Sequence, residues 1–189
     1  MDGEEQQGLR DGMKRVAVAL KESGVPFALA GGYAGWARGA PERIHDVDFL
    51  IPADQAEQAA TELARRGLEV LQPPEDWLFK IATDGVTVDI LMRTAAGESC
   101  KELLAAATEL PVLSVVMPVL SATDVVSEKL VAMDEHYCDF SALLPTMRAL
   151  REQVDWSVVR RRSEGQPFAE AMLYLLERLG IVEPARSSP

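Results

Sequence analysis

The stretch AGGYAGWARGAPERIHDVDFLI, residues 30–51, decides the fold, because it joins a glycine pair to a strand pattern interrupted by acidic residues. Upstream, PFALA (26–30) is short and apolar and predicts a strand. The pair Gly31 and Gly32 should turn the chain, and a short helix should follow. HDVDFLI (45–51) predicts a second strand. The order is therefore strand, glycine pair, helix and acidic strand.

The acidic positions in these strands are unusual, because carboxylates interrupt runs that otherwise belong in a core. Side chains alternate along a strand, so Asp46 and Asp48 should share one face, about 6–7 Å apart. Like charges at that separation repel, and a bound cation would offset the repulsion. Asp89 interrupts another apolar strand, VTVDILM (86–92). If these strands are neighbours, the three carboxylates would converge into the kind of cluster that two-metal phosphoryl chemistry needs.

The glycine pair suits the same chemistry. Glycine lets backbone N–H groups approach phosphate oxygens closely, and a helix that begins just after the pair would add a favourable dipole. Each signal alone has an ordinary alternative, since an Asp-x-Asp pair is often an exposed edge or a cap and a glycine pair is often a turn. The ordered combination is much more specific.

These residues resemble the nucleotidyltransferase superfamily of the DNA polymerase β type, in its small bacterial forms. The matching segments are LAGG (29–32), HDVDFLI (45–51) and VDIL (88–91), with thirteen residues between the glycine pair and the first aspartate. The resemblance covers roughly residues 25–92 and continues more loosely into the helical segment after it. It implies a mixed sheet with flanking helices and a helical C-terminal unit, an α/β (α+β) fold.

The resemblance also implies roles for five residues. Gly31 and Gly32 would hold the triphosphate of an NTP substrate. Asp46 and Asp48 would bind two Mg²⁺ ions, and Asp89 would assist metal binding and deprotonation of an acceptor hydroxyl. The reaction would move a nucleoside monophosphate from an NTP to the acceptor and release pyrophosphate.

Three basic residues are further candidates for phosphate binding. A lysine near the position of Lys129 faces the nucleotide phosphates in small relatives, although a solvated helix lysine is the alternative. Lys80 interrupts the strand WLFKIAT (77–83) and either points to solvent or reaches the triphosphate. Arg43 lies close to the acidic strand in sequence.

Other conspicuous residues have structural interpretations that we prefer. Asp139 should cap the helix that follows it. The run RRR (160–162) could touch RNA but is more often the wet face of a helix. Trp36, Trp77 and Trp156 are expected in the core rather than as platforms for base stacking.

The remaining pattern divides the chain into a mixed unit and a helical unit. A nucleotidyltransferase core over 1–118, a helical unit over 119–184 and a loose tail over 185–189 are expected. Asp84 and Gly85 predict a tight hairpin turn. Helices are predicted at 9–22, 53–67, 99–110, 121–133, 139–153, 156–165 and 167–180, and strands at 68–72, 77–83, 86–92 and 111–120.

Composition excludes several function classes. The net charge of −11 argues against a general nucleic-acid binder that works by phosphate neutralisation. Apolar runs are too short to span a bilayer, and the acidic N-terminus does not resemble a signal peptide. Two cysteines are too few for a disulfide framework. A cytoplasmic protein without membrane partners is expected.

The acceptor remains open at this stage. The first hypothesis is a toxin-like enzyme of a bacterial toxin–antitoxin or defence pair that modifies tRNA or a protein and has a cognate antitoxin. The alternatives are an antibiotic nucleotidyltransferase acting on a small molecule such as an aminoglycoside or lincosamide, and a catalytically silent binding or antitoxin module. Carboxylates too far apart to share a metal ion would favour the silent module.

Overall fold

A computed structural model describes residues 3–42 and 45–184. In these residues, eight α-helices surround one seven-stranded sheet, and the last four helices follow the last strand. This arrangement confirms the predicted mixed fold with C-terminal helices. In chain order the elements are α1 (Gly3–Ser23), β1 (Ala28–Leu29), α2 (Gly31–Ala37), β2 (Asp48–Leu50), α3 (Ala56–Arg65), β3 (Glu69–Leu71), β4 (Leu78–Thr83), β5 (Val86–Leu91), α4 (Cys100–Ala106), β6 (Thr108–Val112), β7 (Val115–Val119), α5 (Ala122–Val131), α6 (Phe140–Leu150), α7 (Trp156–Arg162) and α8 (Pro167–Arg178).

The sheet is mixed, with strand order β3-β4-β5-β2-β1-β7-β6. The pairs β2–β5 and β1–β7 are parallel, and the other neighbouring pairs are antiparallel. Strand β2 therefore lies between β1, which leads into the glycine pair, and β5, which carries the third aspartate. This order puts the three segments of the sequence pattern side by side.

One face of the sheet is covered by α1. Leu9, Met13, Val16 and Leu20 of this helix are buried at helical spacing, each contributing roughly 1.5–3 kcal/mol by burial. A Cβ on Gly12 would lie 2.8 Å from the Val86 side chain, so helix and strand pack closely there. The helix begins at residue 3 rather than 9.

Alternation along β4 and β5 separates apolar from charged side chains. Phe79 and Ile81 of β4 are buried, as is Val88 of β5. Lys80 and Asp89 occupy the intervening positions and are directly paired across the strands. Because successive side chains point to opposite faces, both charges lie on the face away from α1.

The C-terminal helices pack against this second side. Helix α5 contacts α2, and both α7 and α8 contact α5. Ser121 caps α5 by accepting a hydrogen bond from the backbone N–H of Asp124 at 3.1 Å. The apolar side chains of these helices belong to the same core as those of the sheet. Division of the chain at residue 118 stays a prediction, and the predicted tail (185–189) lies outside the described residues.

Two elements expected between residues 99 and 120 are wrong in type or extent. The helix predicted at 99–110 ends at Ala106, and its last residues start β6. The strand predicted at 111–120 is instead a hairpin, whose turn at Leu113 and Ser114 has positive φ angles of 47° and 71°. Neither residue type favours that conformation, so the local sequence carries no turn signal. The turn at Asp84 and Gly85 is confirmed, with Thr83 opposite Val86.

No helix within the described ranges is long and apolar enough to cross a membrane. Both cysteines, Cys100 and Cys138, have free thiols.

Candidate active site

Asp48 and Asp89 are direct neighbours in the sheet. They are register partners on the parallel strands β2 and β5. The Asp89 N–H donates to the Val47 carbonyl at 2.7 Å, which fixes this register. The two side chains therefore leave the sheet on the same face. The convergence expected of these two strands is confirmed, and it depends on pairing between segments some 40 residues apart.

Asp46 lies before the strand rather than within it. The predicted strand at 45–51 is wrong at its N-terminal half, because β2 starts only at Asp48. Asp46 is exposed, whereas Asp48 is partly buried. Both nevertheless line the same cleft, so the expected common side is retained.

Gly31 is fixed by its contact with Asp48. A Cβ at this position would lie 1.8 Å from the Asp48 Oδ2 atom, and the φ angle is +56°. The Ala30 N–H donates to the Asp48 carbonyl at 2.8 Å, which holds the two segments together. Glycine is therefore required here by the neighbouring carboxylate as well as by the backbone conformation. Sequence reasoning assigned the glycine to a turn and to phosphate binding, and it missed this contact.

Asp48 carries a strongly perturbed carboxyl group. Its pKa is raised to about 7: burial is the largest cause, repulsion from Asp46 and Asp89 adds to the rise, and Lys129 and Lys80 act in the opposite direction. An ordinary aspartate has a pKa of about 3.9. The carboxylates are thus close enough to repel, and a cation among them would relieve that repulsion.

Lys80 is bound to the third carboxylate. Its Nζ atom donates to both Asp89 oxygens at 2.8 Å, and the two residues face each other across β4 and β5. The sequence did not predict this ion pair, and contact of Lys80 with a triphosphate stays a prediction. The lysine already occupies the place beside Asp89 that a cation would take.

A cleft of about 430 Å³ opens over the carboxylates. Asp46, Asp48 and Asp89 line it together with Lys129 of α5, which is near enough to lower the pKa of Asp48. Lys129 therefore lies in the same cleft as the carboxylates, and its contact with phosphates stays a prediction. Other residues in the cleft wall are Trp77, Leu91, Arg93, Thr94, Ala95, Glu128 and Ala132. Within the described residues, neither glycine of the pair lines the cleft; Gly32 lies in the first turn of α2.

Glu128 fixes the loop that forms one wall of the cleft. Its carboxylate accepts from the backbone N–H groups of Ala95 at 2.6 Å and Ala96 at 3.3 Å. Burial raises the pKa of Glu128, and the two N–H donors act against that rise. Sequence reasoning missed Glu128, whose position one residue before Lys129 was the available signal.

Arg162 ties the same loop to the C-terminal helices. It pairs with Glu98 at 2.9 Å and with the buried Asp124 at 2.8 Å. Arg160 pairs with Glu177, while Arg161 is exposed. Two of the three arginines are therefore engaged within the protein, and the interpretation of this run as a wet helix face is wrong for them.

Two further predictions concern single residues. Asp139 caps α6 by accepting from the Ala142 N–H at 3.1 Å, which confirms the structural interpretation. Arg43, a candidate phosphate ligand, lies outside the described residues.

Comparison with known proteins places this geometry in context. No protein-family model and no curated protein matches the sequence. Among solved structures, ANT(2″)-Ia in complex with adenylyl-2″-tobramycin superposes with a TM-score of 0.60 at 15% identity, over 88% of this chain and 97% of that one. The chain has a nucleotidyltransferase fold.

Two further structures support the same conclusion. A candidate nucleotidyltransferase from H. pylori gives a TM-score of 0.53 at 15% identity, over 98% of this chain and 86% of that one. An antigenic nucleotidyltransferase-like protein from Paracoccidioides brasiliensis gives 0.51 at 15% identity, over 92% and 88%. The fold implied by the glycine and aspartate pattern is confirmed by these similarities.

A nucleotidyltransferase fold implies a divalent metal ion, and the carboxylates are chemically suited to one. Mg²⁺ prefers oxygen ligands, carboxylates among them. The ionised form of Asp48 is destabilised by its acidic neighbours, and a bound cation would relieve that repulsion. The ligands are not preassembled, however. In residues 3–42 and 45–184, no group of three or more Asp, Glu, His or Cys side chains is arranged to hold a metal ion. Lys80 also holds the Asp89 carboxylate in an ion pair.

Proposed function

We propose that this protein transfers a nucleoside monophosphate from an NTP to a hydroxyl group of a small, cationic acceptor in a metal-dependent reaction. The observation that carries the proposal is the in-register pair Asp48 and Asp89, with Asp48 pressed against Gly31. This pair places two neighbouring carboxylates, one of them with a raised pKa, next to backbone that favours glycine.

The residues have separate parts in this reaction. Asp46, Asp48 and Asp89 would hold Mg²⁺, which supplies charge neutralisation for the phosphates when bound. The backbone at Gly31 and Gly32 would hold the β- and γ-phosphates. Lys129, which lines the same cleft as the carboxylates, would contact phosphate oxygens. Lys80 would leave Asp89 for the triphosphate as the metal is bound, and Arg43 remains a predicted phosphate ligand.

The proposed transfer step is an in-line displacement at the α-phosphorus. The acceptor oxygen forms a bond to the α-phosphorus, and the bond from that phosphorus to the oxygen bridging to the β-phosphate breaks. The hydroxyl proton leaves toward the Asp89 carboxylate, and pyrophosphate carries away the electron pair of the broken bond. Asp89 borders Asp48 on the side away from the glycine pair, which suits it to the acceptor end.

Charge favours a small cationic acceptor over tRNA. The chain has a net charge of −11, and the arginine run that could have met RNA is largely engaged in ion pairs. A negative protein field attracts cations and repels a polyanion. The neighbour ANT(2″)-Ia was captured with adenylyl-2″-tobramycin. The toxin-like role, with a tRNA or protein acceptor and a cognate antitoxin, remains a prediction. The transfer experiment described below tests the tRNA and protein acceptors.

The catalytically silent module is a second candidate because one observation favours it. Lys80 neutralises Asp89, and the described carboxylates form no ready three-ligand metal site. A binding module would keep this ion pair permanently. An enzyme would have to break it whenever metal and nucleotide bind.

The decisive experiment is transfer of label from each α-labelled NTP in the presence of Mg²⁺. The acceptors are tobramycin, other aminoglycosides, a lincosamide, pooled tRNA and total protein. We expect label on a cationic small molecule, reduced at least about a hundredfold by Asp48→Asn and by Asp89→Asn. Asp54→Asn is the matched control, since Asp54 pairs with Lys101 at 2.6 Å on the surface.

Each other outcome has a definite meaning. Label on tRNA or protein would support the toxin-like enzyme instead. Absence of transfer together with absence of Mg²⁺-dependent NTP binding would overturn the catalytic proposal and leave the silent module.

A further inference from the structure

Trp77 differs from the other two tryptophans in where its side chain lies. Trp36 and Trp156 pack against the hydrophobic core, whereas Trp77 lines the cleft beside Asp89 and Leu91. Its backbone carbonyl accepts from the Met92 N–H at 2.8 Å, which ties it to the end of β5. The prediction that all three tryptophans are core residues is therefore wrong for Trp77.

The order of strands places Trp77 at one end of the cleft. The glycine pair follows β1 on one side of β2, and Asp89 lies on β5 at the other side. Trp77 directly precedes β4, one strand further from the glycine pair. Seen across the sheet, Asp48 and Asp89 thus separate Gly31 from Trp77.

An in-line displacement places the NTP pyrophosphate and the acceptor at opposite ends of the cleft. The attacking oxygen approaches the α-phosphorus opposite the departing pyrophosphate. If the pyrophosphate lies at Gly31 and Gly32, the acceptor must enter from the side of Asp89. Trp77 is then positioned beside the acceptor rather than beside the leaving phosphates.

The chemistry around Trp77 suits an ammonium group. Four carboxylates line the cleft, those of Asp46, Asp48, Asp89 and Glu128, together with the cationic side chains of Arg93 and Lys129. Lys80 pairs with Asp89, so these charged groups still leave an excess of one negative charge. An indole face attracts cations through its negative quadrupole, and more strongly than phenylalanine or tyrosine. An aromatic face next to acidic groups therefore favours molecules that carry amino groups.

We infer that Trp77 is the acceptor platform of this site: its indole face holds an amino-bearing ring of a small polycationic acceptor and sets a neighbouring hydroxyl beside Asp89. The inference rests on the proposed transfer reaction and adds the residue that selects the acceptor. It predicts that acceptor binding depends on the aromatic side chain at position 77 while nucleotide binding does not.

The test measures binding of two probes separately, by titration calorimetry on the full chain with Mg²⁺. The probes are tobramycin, as the cation, and ATP. We expect Trp77→Leu to weaken tobramycin binding about tenfold and to change ATP binding less than twofold. Trp77→Phe should restore most of the tobramycin affinity, because it keeps an aromatic face. Maltose, a neutral sugar, should not bind.

Fluorescence supplies a second readout and a matched control. Tobramycin should quench the tryptophan emission of the wild type and of Trp156→Phe, but not that of Trp77→Phe. Trp156 is a suitable control because its indole N–H donates to the Arg151 carbonyl, away from the cleft. Circular dichroism confirms that each variant is folded.

The failures of this inference and of the proposed function are distinguishable. Equal tobramycin affinity of wild type and Trp77→Leu would overturn the acceptor platform. So would a loss of ATP affinity in Trp77→Leu, which would place the indole against the nucleobase. Absence of binding by tobramycin and the other aminoglycosides would also overturn the acceptor platform. Mg²⁺-dependent ATP binding in that case would leave the proposed transfer reaction intact. Absence of both aminoglycoside binding and ATP binding would overturn the acceptor platform and the transfer reaction together.

Discussion

The Asp48 carboxylate should destabilise the metal-free protein above neutral pH, and an amide in its place should remove that cost. Burial and two acidic neighbours raise the pKa of Asp48 from 3.8 to about 7. A carboxyl group that binds its proton more tightly in the folded state favours folding below its unfolded pKa. That stability is lost as the pH rises through the folded pKa. At about 1.36 kcal/mol per pKa unit, the difference corresponds to roughly 4 kcal/mol.

Urea unfolding of Asp48→Asn and wild type, followed by circular dichroism with EDTA from pH 4 to pH 9, measures this cost. The free energy of unfolding of the Asn variant should equal that of the wild type near pH 4. The difference should grow through pH 7 and level off at about 4 kcal/mol above pH 8. Asp54→Asn, on the surface beside Lys101, should show no such gain.

Mg²⁺ extends the same experiment to the metal. At pH 8 it should stabilise the wild type by about 1.4 kcal/mol at ten times its dissociation constant, and the Asn variant much less. A difference between the two proteins that stays flat from pH 4 to pH 9 would refute the reasoning, because the buried charge would then carry no cost. Stabilisation of both proteins by Mg²⁺ to the same extent would mean that the ion binds elsewhere.

Three further substitutions have defined outcomes, each measured by urea unfolding. Gly31→Ala should cost at least about 2 kcal/mol, because its Cβ would meet a carboxylate oxygen in addition to the backbone strain. Gly24→Ala, at φ +74° with open space around the Cβ, should cost only about 1 kcal/mol, and equal losses would refute the role of that contact. Arg162→Leu should cost about 3 kcal/mol, since it leaves a buried aspartate unpaired, whereas the exposed Arg161→Leu should change stability by less than about 0.5 kcal/mol. Tyr33→Phe should be neutral or stabilising by up to about 1 kcal/mol, because the buried Tyr33 hydroxyl has no hydrogen-bond partner among residues 3–42 and 45–184. A clear loss of stability would show that the hydroxyl is hydrogen-bonded in solution.

Local sequence was sufficient wherever a short segment dictates its own conformation. The apolar spacing of α1, the tight turn at Asp84 and Gly85, and the cap at Asp139 all follow from neighbours within a few residues. The hairpin between β6 and β7 was missed because its conformation is not set by local sequence. Its turn residues, Leu113 and Ser114, adopt positive φ angles only because strand pairing on both sides imposes them.

The sequence by itself determined the nucleotidyltransferase-like fold and the positions of the glycine pair and the three aspartates, since their order and spacing are local. Only the tertiary structure decided what surrounds them. Lys80 on Asp89, Trp77 in the cleft and Arg162 at the loop all depend on how distant segments pair and pack. A shift of one residue in strand register would turn Asp89 into the core, and packing of the whole sheet sets that register. The residues predicted to act on phosphate were therefore visible in the sequence, whereas the surroundings that should select the acceptor were not.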